Sequence, residues 1–238
     1  MLKFLLGFIV ALIILTVLPL AFLGLIPGVS TLIGAGPKDL GIKITKADSL
    51  AAQKKIGVEI IPIKNGIAKE DFTLEGKRDV SITINSKELT AHSNNRPWKN
   101  YPMKNLQIKI YDDGTIESSG TLIVSKAIPY AMGLGYSEQQ IKDAMAQYKI
   151  PSFEVPIYIK GLGSVTNDVV SVNAQTVRIG VFPIPSNIVA EANKGAEVVL
   201  EDIIKKHSDA FHADEVSFKN GKMTFIGQLP KKQYVITE

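Results

Sequence analysis

Residues 186–207, SNIVAEANKGAEVVLEDIIKKH, are the most periodic segment of the chain and decide the expected fold. Apolar residues recur there every three or four positions, the spacing that places them on one face of a helix. These residues are Ile188, Val189, Ala192, Ala196, Val199, Leu200, Ile203 and Ile204. Charged residues fall on the other faces, and Ser186 is a typical helix N-cap. A helix of this length must bury its apolar stripe against another layer of structure.

Alternating apolar and polar residues predict that second layer, because period-two alternation indicates strands with one buried face. The alternating segments are 40–44, 80–84, 106–110, 115–124, 153–160, 168–178, 216–218 and 223–226. Tight turns are expected at Asp112-Asp113-Gly114, at Asn220-Gly221 and at Gly161-Leu162-Gly163. The predicted fold class is therefore α+β, with a curved antiparallel sheet packed on one long amphipathic helix.

Capping boxes predict two short helices, one opened by Thr45 with Asp48 and the other by Asn85 with Glu88. A further helix is expected over about 137–148. The polar loop 93–102 contains two aromatic residues, Trp98 and Tyr101. We expect them to pack the loop onto the core, with contact to lipid or a partner as the alternative.

The chain begins with MLKFLLGFIVALIILTVLPLAFLGLI, residues 1–26, which carries no charged side chain from position 4 onward. At about 1.5 Å per helical residue this run is long enough to cross a bilayer. We therefore predict a transmembrane signal-anchor at 1–26, a spacer at 27–37 and an extracytoplasmic domain at 38–238. A cleaved signal peptide is the alternative, with Gly34-Ala35-Gly36 as its small-residue cleavage site.

Composition limits the function classes open to this domain. The 238 residues include 27 basic and 23 acidic side chains, and the charges alternate in sign along the chain. No basic stripe is visible in the sequence, so nucleic acid is not an expected partner. The chain has no cysteine, which excludes disulfides, thiol catalysis and Cys-based zinc sites.

One cluster contains residue types that bind metals: His207, Asp209, His212, Asp214 and Glu215. The two histidines are five positions apart, not the four of a helical ligand pair, so we expect a solvated helix end with a partly protonated His207 and no metal. Asp112-Asp113 is expected to be a turn, not a pair of catalytic carboxylates. No nucleophile elbow or phosphate loop is present, and we predict a non-enzymatic protein without a cofactor.

Several segments resemble YpmS-like bacterial single-pass envelope proteins, which are similar to the tubular lipid-binding (TULIP) superfamily. The segments are DLGIKITKADSL (39–50), VSITINSKELTA (80–91), YPMKNLQIKIYDDGTIESSG (101–120), VPIYIKG (155–161), VRIGVFPIPSNIV (177–189) and VSFKNGKMTFIGQLP (216–230). The resemblance implies a TULIP-like fold in which acyl chains lie between sheet and helix.

This resemblance predicts a lipid or other amphiphile as ligand, held along one line of the long helix. The expected lining residues are Val189, Ala192, Ala196, Val199 and Ile203. The alternative is an envelope scaffold or assembly partner with a filled core, which would bind other envelope proteins instead of a small ligand. A hydrolase with a non-standard site is a third, less favoured hypothesis.

Overall fold

The structure, a computed structural model, describes residues 36–63, 72–134, 136–139, 154–180 and 182–237. Its helices are α1 (Lys46–Ile56), α2 (Ser86–Asn94), α3 (Val124–Gly133) and α4 (Ser186–Lys206). Its strands are β1 (Glu59–Ile63), β2 (Phe72–Glu75), β3 (Arg78–Asn85), β4 (Met103–Ile110), β5 (Ile116–Ile123), β6 (Glu154–Thr166), β7 (Val169–Ile179), β8 (Phe182–Pro183), β9 (His212–Lys219), β10 (Lys222–Leu229) and β11 (Lys232–Ile236).

The protein is α+β, with a strongly curled antiparallel half-barrel sheet and helices, which confirms the α+β class and the curved antiparallel sheet expected from the sequence. The predicted anchor at 1–26, most of the spacer at 27–37 and most of the helix expected at 137–148 lie outside the described residues. Among the helices that the structure describes, none combines the length and apolar character needed to cross a membrane.

Strand β6 connects the two halves of the larger sheet. The order is β3-β10-β9-β6-β5-β4, and β7 followed by β8 continues from the other edge of β6. On the edge opposite β7, β6 pairs with β5 along its first half and with β9 at Val165 and Thr166. The β4–β5 and β9–β10 hairpins meet tip to tip, where the Asn220 N–H donates to the Asp112 carbonyl at 3.1 Å.

A second, three-stranded sheet has the order β1-β11-β2. Its β1–β11 pair is parallel, whereas the sequence predicted only antiparallel pairing. Strand β11 follows β10 directly after Pro230, and its short segment KQYVI shows too little alternation to be recognised without its neighbours. Parallel pairing needs a long connection between its strands, and here almost the whole domain separates β1 from β11.

Both predicted capping boxes are present. The Thr45 side chain accepts from the Asp48 N–H at the start of α1, and Asn85 accepts from Glu88 in the same way at the start of α2. Gly57 ends α1 with a φ of 62°, a left-handed conformation that glycine adopts without steric cost. These short helices are therefore specified locally.

The turn predicted at Gly161-Leu162-Gly163 is wrong, because β6 continues through it to Thr166. The chain reverses instead at Asn167 and Asp168, both with positive φ, as in a two-residue hairpin. Gly161 has a packing role: a Cβ there would overlap the Asn173 and Ala174 backbone of β7.

Three other local predictions differ from the structure. Segment 40–44 is not a strand, and Gln107 accepts from the Leu40 N–H at 2.9 Å. Ser186 is the first helical residue of α4, because Pro185 occupies the N-cap position. Helix α3 was not predicted, since its sequence contains Pro129 and lacks a side-chain cap.

The aromatic residues of loop 93–102 are buried, as the packing interpretation predicted. Trp98 is 4 % exposed and its ring lies 5.3 Å from that of Tyr130 in α3, while Tyr101 is 3 % exposed. The alternative of direct contact with lipid or a partner is therefore wrong for these two residues.

Candidate functional site

The five residues predicted to line a lipid slot lie together on the buried face of α4. Val189, Ala192, Ala196, Val199 and Ile203 are each 0–4 % exposed and belong to the main hydrophobic core. The core-facing side chains of β7, among them Val172 and Ala174, are buried in the same cluster. The sequence therefore located this helix face correctly.

The interface between α4 and the sheet is closed in the described structure. Ala192 and Ala196 have no exposed surface at all. A slot wide enough for an acyl chain would leave their side chains accessible to a water-sized sphere. Entry of a ligand beside them therefore requires α4 to move away from the sheet.

One flank of α4 is attached to the sheet by polar contacts. The Val170 and Val172 N–H groups of β7 donate to the carboxylates of Glu201 and Glu197, at 3.0 and 2.9 Å. Asn193 both accepts from the Ala174 N–H and donates to its carbonyl, each at 3.1 Å. These contacts, which we call the α4–β7 seam, cover the edge of β7 that no strand occupies at these positions.

A second polar feature lies on the outer surface of the sheet, where segment 36–44 crosses β5. The Lys38 ammonium is 3.0 Å from the carboxylate of Glu117, and it also donates to the Tyr158 hydroxyl at 3.2 Å. Although burial opposes the charged form of Lys38, its hydrogen bonds to Glu117 and Tyr158 raise its pKa. Burial also opposes the charged form of Glu117, but the hydrogen bond with Lys38 lowers the pKa of Glu117.

Four cations on this surface surround two tyrosine rings, and we call the group the outer basic face. Its members are Lys38, Lys109, Lys160 and Arg178, with Tyr111 and Tyr158. Lys38 Nζ and Arg178 Cζ lie 4.3 and 4.6 Å from the centroid of the Tyr158 ring. Lys109 and Lys160 lie 5.1 and 5.8 Å from that of Tyr111. All four distances fall within the range of cation–π attraction.

Two acidic residues accompany these cations. Glu117 lies between Lys38 and Lys160, at 3.0 and 3.8 Å, and Asp113 in the nearby hairpin also feels the charge of Lys160. The four cations of the face therefore outnumber Glu117 and Asp113. Among the described residues, no carboxylate forms an ion pair with Arg178, and its guanidinium lies over the Tyr158 ring.

Sequence reasoning missed this face because its cations come from four separate segments. A local signal was nevertheless present in the motifs Lys109-Ile110-Tyr111 and Tyr158-Ile159-Lys160. Residues two apart on a strand share one side of a sheet. Each motif therefore places a lysine beside a tyrosine on the same surface.

Two cavities with walls of described residues lie away from α4. The larger, of about 230 Å³, lies between α1 and the end of α2 and includes Gln53, Val58, His92 and Arg96 in its wall. The smaller, of about 190 Å³, belongs to the outer basic face; its lining is Gly36, Pro37, Lys38, Pro156, Ile157, Tyr158, Arg178 and Gly180.

The histidine cluster near the end of α4 is held by hydrogen bonds. His212 Nδ1 lies 2.5 Å from Asp168 and its Nε2 lies 3.0 Å from Asp214. The hydrogen bond to Asp168 raises the pKa of His212. Burial lowers the pKa of His207, which favours a neutral ring, in contrast to the partly protonated imidazole expected from the sequence. Nowhere in the described residues do three or more His, Asp or Glu side chains form a group that could hold a metal.

Comparisons with known proteins add no assignment to this geometry. No protein-family model, curated protein or solved structure matches the chain.

Proposed function

We propose that this chain is a non-catalytic envelope protein, anchored through residues 1–26, whose extracytoplasmic domain binds a lipid or other amphiphile between α4 and the curled sheet. The observation that carries the proposal is the α4–β7 seam beside the apolar stripe of α4. The stripe offers an apolar surface for an acyl chain. The seam provides a side on which the interface can open.

The physical argument concerns the cost of that opening. Separating apolar surfaces exposes them to water at about 25 cal/mol per Å². The seam instead joins half-buried polar side chains to backbone N–H groups, and both partners can bind water when they separate. An entering acyl chain gains about 0.8 kcal/mol for each CH₂ it buries, so ten methylenes supply about 8 kcal/mol towards displacing α4.

The test uses a photoreactive leucine analogue at Val199 in the full-length chain, irradiated in its own membranes. Val198 is the matched control, because it is the next residue but is 60 % exposed, whereas Val199 is 4 % exposed. We expect a lipid adduct at position 199 and none at position 198, detected by mass spectrometry of the purified protein. Equal adducts at both positions, or none at 199, would contradict the proposal.

A filled-core scaffold is the second candidate function, and the closed packing around Ala196 favours it. The substitution Ala196→Trp separates the two candidates. If α4 opens to admit a ligand, the indole fills the slot, the lipid adduct disappears and the circular dichroism spectrum is retained. If the core is permanently filled, the wild type carries no lipid and Ala196→Trp is strongly destabilised by overpacking.

A further inference from the structure

We propose that the outer basic face binds the phosphate groups of anionic membrane lipids, and that this contact lays the domain against the bilayer in which it is anchored. The inference rests on the anchor of the proposed function, but not on the site at α4. It assigns the binding site to the cavity of about 190 Å³ lined by Pro37, Lys38, Tyr158 and Arg178.

The first argument is the chemistry of Arg178. Its guanidinium lies over the Tyr158 ring, with Cζ 4.6 Å from the ring centroid. A guanidinium presents its N–H donors in a planar fork, a geometry that suits two oxygens of one phosphate. Lys38, on the same ring, adds a second positive charge at the cavity.

The second argument is the course of the chain. The predicted anchor ends at Ile26, and Gly36 is part of the cavity wall. Ten residues span at most about 35 Å, so the predicted anchor keeps the cavity within about 35 Å of its own end. The intervening segment PGVSTLIGA is uncharged and rich in small residues.

The third argument is screening. At physiological salt an exposed charge acts over only about 8 Å, so the face gains from an anionic surface only when it touches it. A bilayer presents many phosphates in one plane, which matches cations spread over β4, β6, β7 and segment 36–44. Glu117 and Asp113 reduce the net charge of the face. Binding should therefore require anionic lipid and not occur on a zwitterionic surface.

The test measures how close the face lies to the bilayer. The chain has no native cysteine, so Thr176→Cys supplies a single fluorophore on an exposed residue paired with Lys160. Val198→Cys places the same label on the exposed side of α4. The full-length chain is placed in phosphatidylcholine nanodiscs, with or without a one-third share of phosphatidylglycerol, and nitroxide-headgroup lipid serves as the quencher.

We expect phosphatidylglycerol to increase quenching at Thr176→Cys several-fold and to leave Val198→Cys unchanged. Arg178→Gln and Lys38→Gln should each remove most of that increase. Lys54→Gln, the same charge change on the exposed side of α1, should have no effect. Addition of glycerol phosphate to neutral discs should not increase quenching, because it binds without bringing the face to the bilayer.

Equal quenching in both lipid compositions would overturn the inference, as would a Lys54→Gln effect as large as that of Arg178→Gln. Both results leave the amphiphile site at α4 untouched, since that site is tested by the adduct at Val199. A chain that fails to enter the nanodiscs would contradict the anchor and this inference together.

Discussion

Two edges of the sheet are each covered by a helix whose side chains bond to the backbone of the edge strand. The side chains that form these bonds differ between the two edges. On β4, the cover consists of Ser86, Thr90 and Asn94 of α2, which bond to Ile110, Ile108 and Leu106. On β7, it consists of Asn193, Glu197 and Glu201 of α4, which bond to Ala174, Val172 and Val170. In both cases every fourth helix residue contacts every second strand residue.

The spacing has a simple geometric reason. Four helical residues advance about 6.0 Å, and two strand residues advance about 6.6 Å, so a helix lying antiparallel to a strand stays in register for two steps. Side-chain oxygens then replace the carbonyls of a missing strand. An edge covered in this way cannot pair with another chain.

The two covers differ at their middle residues, Thr90 and Glu197, in burial and in the number of bonds that the side chain makes. Thr90 is 1 % exposed and its hydroxyl both accepts from the Ile108 N–H at 2.9 Å and donates to the Ile108 carbonyl at 3.2 Å. Glu197 is half-buried and its carboxylate can only accept. We infer that α2 is a permanent cover and that α4 is the separable one.

The largest effect is expected from Thr90→Val, which keeps the shape of the side chain and removes its hydroxyl. The Ile108 N–H and carbonyl would both lose a buried partner. At about 1–3 kcal/mol for each of the two unsatisfied groups, we expect a loss of about 2–6 kcal/mol in the free energy of unfolding. Denaturant titration of the full chain measures it. Thr83→Val, on an exposed strand position, is the matched control and should change stability by less than about 0.5 kcal/mol.

A smaller effect is expected at the seam from Glu197→Ala. Water can reach the Val172 N–H when the carboxylate is removed, so the loss should be about 1 kcal/mol. Glu197→Gln retains an acceptor oxygen and should be close to neutral. Hydrogen exchange adds a second measurement: the Val172 amide should exchange by local opening well before the Ile108 amide. Similar exchange rates at the two amides would remove the distinction between the covers.

The smallest effect is expected at the hairpin end of the β7 edge, where His212 contacts Asp168. The folded-state pKa of His212 is raised above its usual value of 6.5. Its stabilising contribution is therefore fully present below about pH 6.5 and is lost as the pH rises through the folded-state value. Because the pair is more than one-third exposed, we expect at most about 0.5–1 kcal/mol.

The measurement compares wild type with His212→Gln across pH 6 to 9. The stability difference between the two proteins should shrink as the pH rises. Taking the difference between the two proteins removes the contribution of His207, which both contain. Burial lowers the pKa of His207, so this residue destabilises the fold as the pH falls below 6.5. A difference that is constant over this range would exclude the ion pair as its source.

Local signals explain which parts of the fold could be predicted. The capping boxes at Thr45 and Asn85, the Asn220-Gly221 turn and the stripe of α4 each depend on residues close together in sequence. The Gly161-Leu162-Gly163 prediction failed for the opposite reason, since Gly161 is required by the approach of β7 and not by a turn. A glycine selected for close packing cannot be distinguished from a turn glycine before its neighbour is known.

The two candidate sites differ in the same respect: one depends on a local sequence pattern and the other on residues far apart in the sequence. The apolar line on α4 was evident from its spacing, because a helical face is a local property. The outer basic face was not, because Lys38, Lys109, Lys160 and Arg178 are separated by up to 140 positions and meet only when the strands pair.

The sequence by itself determined the α+β class, the main strands of the larger sheet, the capped helices and the buried face of α4, since periodicity and capping act over a few residues. Only the tertiary structure decided that α2 and α4 cover opposite edges of the sheet, because that depends on which strand edges lack a neighbour. It also decided that Glu197 and Glu201, which read in the sequence as solvated charges, bond to the backbone of β7. The partners of backbone groups at a sheet edge depend on which distant strands pair. A local sequence pattern does not indicate that pairing.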